Sequence, residues 1–219
     1  MIQSLFQHLI EKKMIAIIRG ITEDKADLTV ESLYNGGIGL IEVTMNTDGA
    51  LNMLSRWKDK YANTNLLLGA GTVLDLKMAK AAISAGAQFM ISPNLDESVI
   101  AYGIEHQVAV WPGVMTPTEI VRAYNAGASA VKVFPTGVLG ASFIKEVRAP
   151  LSHIPMIATG GVTLENIGDF FKAGAVAVGL GSSLVDKKLI DENRFDELTL
   201  LAQKFVKAAS EAKRRTNIL

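Results

Sequence analysis

A lysine inside one apolar run, a glutamate inside another and two glycine-rich loops late in the chain are the parts that could do chemistry. Lys132 lies in Ser129-Ala130-Val131-Lys132-Val133-Phe134-Pro135. A strand with one wet face alternates polar and apolar residues, whereas this one reads as buried on both faces apart from a single amine. Burying an ammonium is costly, so such a lysine is driven toward its neutral form or toward an acid partner. A neutral amine in apolar surroundings is what a Schiff-base nucleophile requires. Bringing a lysine from about 10.4 to about 7 takes roughly 4–5 kcal/mol of differential destabilisation, within reach of burial plus a nearby cation. Taken alone, a lysine at a strand end is expected to snorkel to water. The rest of the chain reverses that expectation.

Glu42 ends the run Gly39-Leu40-Ile41-Glu42-Val43-Thr44. A carboxylate amid leucine, isoleucine and valine has a raised pKa unless a cation offsets it, and such a group can move protons near neutral pH. The plainer alternative is a structural ion pair with Lys132; the need of an amine nucleophile for a proton relay favours the catalytic role. Arg19 is placed to grip a substrate carboxylate bidentately, its plain alternative being a surface salt bridge. The glycines of Gly69-Ala70-Gly71-Thr72-Val73 would let backbone amides and Thr72 reach the same carboxylate. Thr159-Gly160-Gly161-Val162 and Gly179-Leu180-Gly181-Ser182-Ser183 let N–H groups approach an anion closely, with Ser182 adding a hydroxyl.

These residues need elements to hold them. Eight short apolar runs, at 14–19, 39–43, 66–69, 88–92, 108–111, 130–134, 156–159 and 175–180, recur at intervals that leave room for a helix between each pair. Several enter the next run through Gly36-Gly37, Gly86-Ala87, Gly127-Ala128 or Gly174-Ala175, as expected of a helix C-cap that takes φ > 0. Eight strand–helix units predict a single (β/α)8 (TIM) barrel domain over residues 1–219 in preference to an open sheet. In such barrels the site forms at the C-terminal strand ends, and strands seven and eight commonly hold phosphate. Arg19, Glu42, the 69–72 segment, Pro93, Lys132 and both late glycine loops all fall at those ends. Ile2, Leu5, Phe6, Leu9 and Ile10 share helical spacing and predict an N-terminal helix capping the barrel bottom. A terminal amphipathic helix is expected over 194–214, followed by a frayed tail over 214–219.

Composition narrows the classes. Lysine plus arginine and aspartate plus glutamate number 22 each, so there is no global field for nucleic acid or an anionic membrane. The chain has no cysteine, which excludes disulfides, thiolate metal sites and cysteine nucleophiles. His8, His106 and His153 fall on predicted helices or bottom-side loops, away from the strand ends, and no metal or other cofactor is expected. No apolar stretch approaches a membrane span, and the start lacks the basic residues and long apolar core of a signal peptide. A cytoplasmic protein acting on a small molecule is the expectation.

Taken in order, Glu42-Val43-Thr44, Gly69-Ala70-Gly71-Thr72-Val73, Ile91-Ser92-Pro93, Pro112-Gly113-Val114-Met115-Thr116-Pro117, Lys132-Val133-Phe134-Pro135 and Thr159-Gly160-Gly161-Val162 resemble the 2-keto-3-deoxy-6-phosphogluconate / 4-hydroxy-2-oxoglutarate aldolases. The resemblance runs from about residue 14 to 183. It implies a metal-independent class I aldolase on a (β/α)8 barrel, a homotrimer, that releases pyruvate. It places the Schiff-base lysine on Lys132 and the general acid/base on Glu42. Thr72 and Pro93 fall in the keto-acid pocket, Phe134 beside the lysine, and Gly160, Gly161, Gly181 and Ser182 on the phosphate loops. One position departs: many such aldolases carry arginine where this chain has Asn46, leaving Arg19 as the carboxylate binder. An asparagine there resembles the 6-phosphogalactonate aldolases, so gluconate and galactonate substrates both stay open. A phosphosugar isomerase or epimerase using the same two residues without covalency is a further alternative, as is a non-catalytic phosphometabolite-binding protein.

Overall fold

The computed structural model describes residues 2–216, with side chains through residue 212. Nine parallel strand segments alternate with helices. In chain order the strands are β1 (Met14–Ile18), β2 (Leu40–Thr44), β3 (Leu67–Gly71), β4 (Phe89–Ile91), β5 (Ala109–Trp111), β6 (Gly113–Val114), β7 (Val131–Val133), β8 (Met156–Thr159) and β9 (Ala177–Leu180). Hydrogen-bonded neighbours run β5-β4-β3-β2-β1-β9-β8-β7-β6. The two edges of that order, β5 and β6, are separated in the chain by Pro112 alone. Proline has no N–H for a ladder, so the strand is interrupted there, just past the run expected at 108–111. Trp111 pairs with Ile91 on β4, and Gly113 pairs with Lys132 on β7. The result is a nearly closed parallel barrel of the TIM-like kind.

Ten helices stand among the described residues: α1 (Ile2–Lys12), α2 (Glu23–Asn35), α3 (Ala50–Lys60), α4 (Leu76–Ser84), α5 (Glu97–Glu105), α6 (Pro117–Asn125), α7 (Thr136–Arg148), α8 (Ile167–Lys172), α9 (Lys187–Asp191) and α10 (Phe195–Thr216). Local sequence sets their ends. Thr116 caps α6 in a reciprocal box with Glu119, and Pro117 fills the first helical position. Gly37, Gly86, Gly127 and Gly174 leave their helices at φ of 97°, 100°, 101° and 99°, the left-handed turn that glycine takes without penalty. The terminal helix α10 runs two residues beyond the expected end at 214, and the rest of the expected tail, 217–219, lies outside the described residues.

Apolar packing forms two bodies. One lies between the strands and the outer helices, where Leu33, Met53, Trp57, Ile120 and Phe205 are buried. The other occupies the barrel interior and joins Ile15, Leu40, Phe89, Trp111 and Ile157 to Leu5 and Leu9 of α1. Phe89 and Trp111 stack there with centroids 4.9 Å apart. Gly69 makes that possible, because a Cβ at this position would lie 2.3 Å from the Phe89 ring.

Candidate active site

Lys132 stands at the centre of the three-residue β7 and is 8% exposed, while Glu42 on β2 is 1% exposed. Both line one interior space with Ile17, Ile91, Ile157, Thr159 and Gly179. Room for the carboxylate comes from a missing side chain. A Cβ on Gly71 would fall 1.4 Å from Glu42 Oε1, so only glycine at that position lets the carboxyl lie where it does. Gly179 serves Thr159 in the same way, with Oγ1 2.6 Å from its ideal Cβ. Strand β3 therefore runs two residues past the expected end at 69, and Gly71 belongs to the barrel wall instead of a loop.

Burial dominates the electrostatics. It pushes the Glu42 carboxyl above its ordinary range, against the pull of the Lys132 and Arg19 cations. It pushes the Lys132 amine below its ordinary range; Glu42 opposes that shift and Arg19 adds to it. Glu42 Oε2 is buried and accepts no hydrogen bond. A buried polar atom without a partner is costly, and such atoms are found where chemistry needs them. Burial thus favours the neutral form of both the amine and the carboxyl. Lys132 Nζ also lies 4.9 Å from the centroid of the Phe134 ring.

Arg19 extends from the end of β1 into solvent. Among the described residues it makes no salt bridge; its Nη1 donates to Asn46 Oδ1 at 3.0 Å and its Nη2 to Thr72 Oγ1 at 3.4 Å. Thr72 itself sits at φ 53°, an unusual conformation for a β-branched residue, and carries its hydroxyl to the guanidinium. Arg19, Asn46 and Thr72 thus form one polar group on three adjacent strand ends, with the guanidinium near enough to bias both Glu42 and Lys132. Asn46, the position that departs from the expected arginine, is a hydrogen-bond acceptor for Arg19. Such a contact between residues 27 apart leaves no local pattern in the sequence.

Pro93 is half-buried and lines a recess of about 370 Å³ beside the interior space, together with Phe134, Gly113, Val114 and Met115. Gly160 and Gly161 follow β8 at φ 91° and 74°. The Gly160 carbonyl accepts from Thr136 Oγ1 at 2.7 Å and the Gly161 carbonyl from Asn166 Nδ2 at 2.8 Å, so the loop is held from both sides. Gly181 opens the turn after β9, where Leu184 N and Val185 N donate to its carbonyl at 3.0 and 2.8 Å, and Ser182 is exposed. The register Thr159↔Gly179 sets these two loops side by side. Among the described residues no group of three or more histidine, aspartate or glutamate side chains converges as a metal site. No described helix is long and apolar enough to cross a membrane.

Comparison with known proteins agrees with this geometry. The family model described as "KDPG and KHG aldolase" matches residues 5–201. The chain is 36% identical over 200 residues to 2-dehydro-3-deoxy-6-phosphogalactonate aldolase of Escherichia coli (strain K12), covering 91% of this chain and 95% of that one. It is 33% identical to 2-dehydro-3-deoxy-phosphogluconate aldolase of Treponema pallidum (strain Nichols), covering 91% and 95%. The fold superposes with a TM-score of 0.84 and 25% identity on the KDPG aldolase of Legionella pneumophila solved with pyruvate captured at low pH as a covalent carbinolamine, covering 90% of this chain and 96% of that one. Lys132 and Glu42, expected at strand ends, lie mid-strand, on the interior faces of β7 and β2. With that buried amine and carboxylate and this match over most of its length, the chain belongs to the KDPG and KHG aldolase family.

Proposed function

We propose that this protein is a class I aldolase cleaving 2-keto-3-deoxy-6-phosphogluconate, 4-hydroxy-2-oxoglutarate or both, with Lys132 as the Schiff-base residue and Glu42 as its proton carrier. The observation that carries this is the burial of Lys132 and Glu42 in one space, with Glu42 Oε2 unpartnered. The neutral Lys132 amine attacks C2 of the keto acid, and Glu42 gives its proton to the carbonyl oxygen. The carboxylate then carries a proton from nitrogen to the departing hydroxyl, and water leaves to form the iminium. The same carboxylate takes the C4 hydroxyl proton. The C3–C4 bond breaks, its electron pair moves toward the iminium nitrogen, and the aldehyde departs. Glu42 returns its proton to C3 of the enamine, and hydrolysis frees pyruvate and the amine. Water is lost once and regained once, so no other reagent is consumed.

Arg19, with Thr72, binds the keto-acid carboxylate, and Pro93 and Phe134 wall the pocket. The amides of Gly160, Gly161 and Gly181 with the Ser182 hydroxyl hold a terminal phosphate. Supporting that reading, β8 and β9 stand side by side and glycine removes the side chains that would keep an anion away. The galactonate epimer is the second substrate reading, favoured by Asn46. We read β5 and β6 as one strand broken at Pro112, which gives a single (β/α)8 domain with α1 as the cap of its lower mouth. We also infer a cytoplasmic homotrimer: Val138, 80% exposed, and Met115, 46% exposed, are apolar surface that neighbouring copies would cover. Light scattering showing a monomer would remove the trimer without touching the chemistry. For the chemistry itself, incubation with 2-keto-3-deoxy-6-phosphogluconate should release pyruvate and glyceraldehyde 3-phosphate. Absence of pyruvate from that acid, from its galactonate epimer and from 4-hydroxy-2-oxoglutarate would overturn the proposal.

A further inference from the structure

We propose that Thr47 is the positioning residue that holds Arg19 ready for the substrate carboxylate, through a hydroxyl relay linking the ends of β1 and β2. The inference rests on the reading of Arg19 as the carboxylate-binding group. Thr44 and Thr47 are 0% and 5% exposed, and their Oγ1 atoms lie 2.9 Å apart. Thr47 Oγ1 also accepts the Gly20 N–H at 2.9 Å. The backbone closes around the same residue: Thr47 N donates to Thr44 O at 2.8 Å, and Thr47 O accepts from Ala50 N at 3.1 Å, where α3 begins. Thr47 therefore fixes the turn that carries Asn46 and, through Gly20, the turn that carries Arg19.

The spacing gives the relay its consequence. The hydrogen bond from Arg19 Nη1 to Asn46 Oδ1 joins residues that each sit one position from an end of the Gly20–Thr47 bond. The guanidinium is on an exposed, flexible side chain, and a bidentate grip on a carboxylate needs it held in one plane. Holding the two backbones together before substrate arrives removes part of the ordering cost of binding. A hydroxyl is required because the same oxygen must accept from Gly20 and share a proton with Thr44, which an apolar residue of equal shape cannot do. Gly20 is at φ 60°, so its turn is one that this bond keeps and that few other residues would adopt.

The test is borohydride inactivation measured against pyruvate concentration, which separates the half-saturating pyruvate from the maximal rate of trapping. Thr47→Val should raise the half-saturating concentration about three- to tenfold, the scale of one lost hydrogen bond, with the maximal rate within about twofold. Thr47→Ser should restore it, and Thr44→Val, which spares the Gly20 bond, should shift it less. In an Arg19→Ala background, Thr47→Val should add less than about twofold, because the group it positions is gone. Equal shifts in both backgrounds would make Thr47 a merely structural residue, and so would failure of Thr47→Ser to restore affinity. Should Thr47→Val fold poorly, Thr44→Val still decides: its smaller shift should vanish in the Arg19→Ala background, and a shift that persists there is a packing defect and overturns the proposal. If Arg19→Ala raises the half-saturating concentration while Thr47→Val does not, this inference alone fails. If Arg19→Ala saturates like the unmutated protein, the reading of Arg19 fails first and takes the relay with it.

Discussion

The two ends of the barrel interior are built from the same strands and do opposite work. At one end Phe89 and Trp111 fill the space with apolar atoms, in one cluster with Leu5 and Leu9, and Gly69 leaves room for the Phe89 ring to lie against the wall. At the upper end Gly71 and Gly179 leave room of the same kind, and polar groups occupy it: the Glu42 carboxyl and the Thr159 hydroxyl. One end lowers the free energy of the fold by burying apolar surface. The other raises it by burying an amine and a carboxyl with one unpartnered oxygen, and burial shifts both toward their neutral forms. The lesson is that two residues along one strand, from Gly69 to Gly71, separate apolar packing from the space that holds a buried carboxyl.

This division can be broken most severely at Glu42. Glu42→Gln keeps the shape and removes the proton carrier, so cleavage should fall by about 10²–10⁴-fold in steady-state assays while the pyruvate adduct still forms, more slowly. Near-normal cleavage would make the upper carboxyl structural. Trp111→Ala probes the other end. It should cost about 3–5 kcal/mol in chemical denaturation, yet the turnover per folded molecule should stay within severalfold of the unmutated protein. A collapse of turnover in molecules that remain folded would show that the two ends are not separable.

The pH dependence of stability sharpens the contrast, because the paired groups should cancel and the single ones should not. Glu42 has a folded pKa above its ordinary 4.5, so between those values the folded chain binds more protons than the unfolded chain and stability falls as pH rises. Lys132 has a folded pKa below its ordinary 10.5, so in its window the unfolded chain binds more protons and stability rises with pH. Lys132→Met leaves Glu42 alone and should make stability decline with rising pH above about 4.5 relative to the unmutated protein, by up to about 1.4 kcal/mol per pH unit. Glu42→Gln should show the opposite slope, ending near pH 10.5. Denaturant midpoints across pH measure both, and parallel curves for the two variants would contradict the burial of either group.

The smallest effect concerns the two glycine loops proposed to hold phosphate. A 6-phosphate should improve kcat/KM about tenfold or more over the unphosphorylated sugar acid, if one or two charge-assisted hydrogen bonds count. The informative substitution is at Gly181, where a side chain would meet nothing within 4 Å. Gly181→Asp should therefore cancel the advantage by charge alone and leave cleavage of 4-hydroxy-2-oxoglutarate largely intact. Gly161 is unsuited to the same test, since its φ is 74° and a Cβ there would lie 2.5 Å from Gly137 Cα. Equal loss on both substrates would place Gly181 outside any phosphate site.

How much of this was legible in the sequence depends on the range of the interaction. Lys132 and Glu42 stood out because a single charge in an apolar strand is a local anomaly that needs no partner to be noticed. The strand–helix rhythm and the glycine turns were legible for the same reason. The break at Pro112 was less so, because the run before it and the short segment after it pair with different neighbours, a fact of barrel closure. Strand β3 ran past its expected end because Gly-Ala-Gly reads locally as a loop, and only the Glu42 carboxyl on the neighbouring strand β2 explains why glycine stands within a strand there. The helix α9 and the left-handed turn at Gly140 inside α7 were likewise outside the apolar pattern. The Arg19–Asn46–Thr72 group and the Thr44–Thr47–Gly20 relay depend on contacts between loops of different strands, which no periodicity encodes.

The most direct test of the account is to treat the protein with borohydride in the presence of pyruvate and map the modified peptide by mass spectrometry. The reduced adduct should sit on Lys132, survive a prior chelation step, and be absent from Lys132→Ala while the circular dichroism of that variant stays nearly unchanged. An adduct on any other lysine, or none in the unmutated protein, would contradict the assignment of the buried amine as the nucleophile.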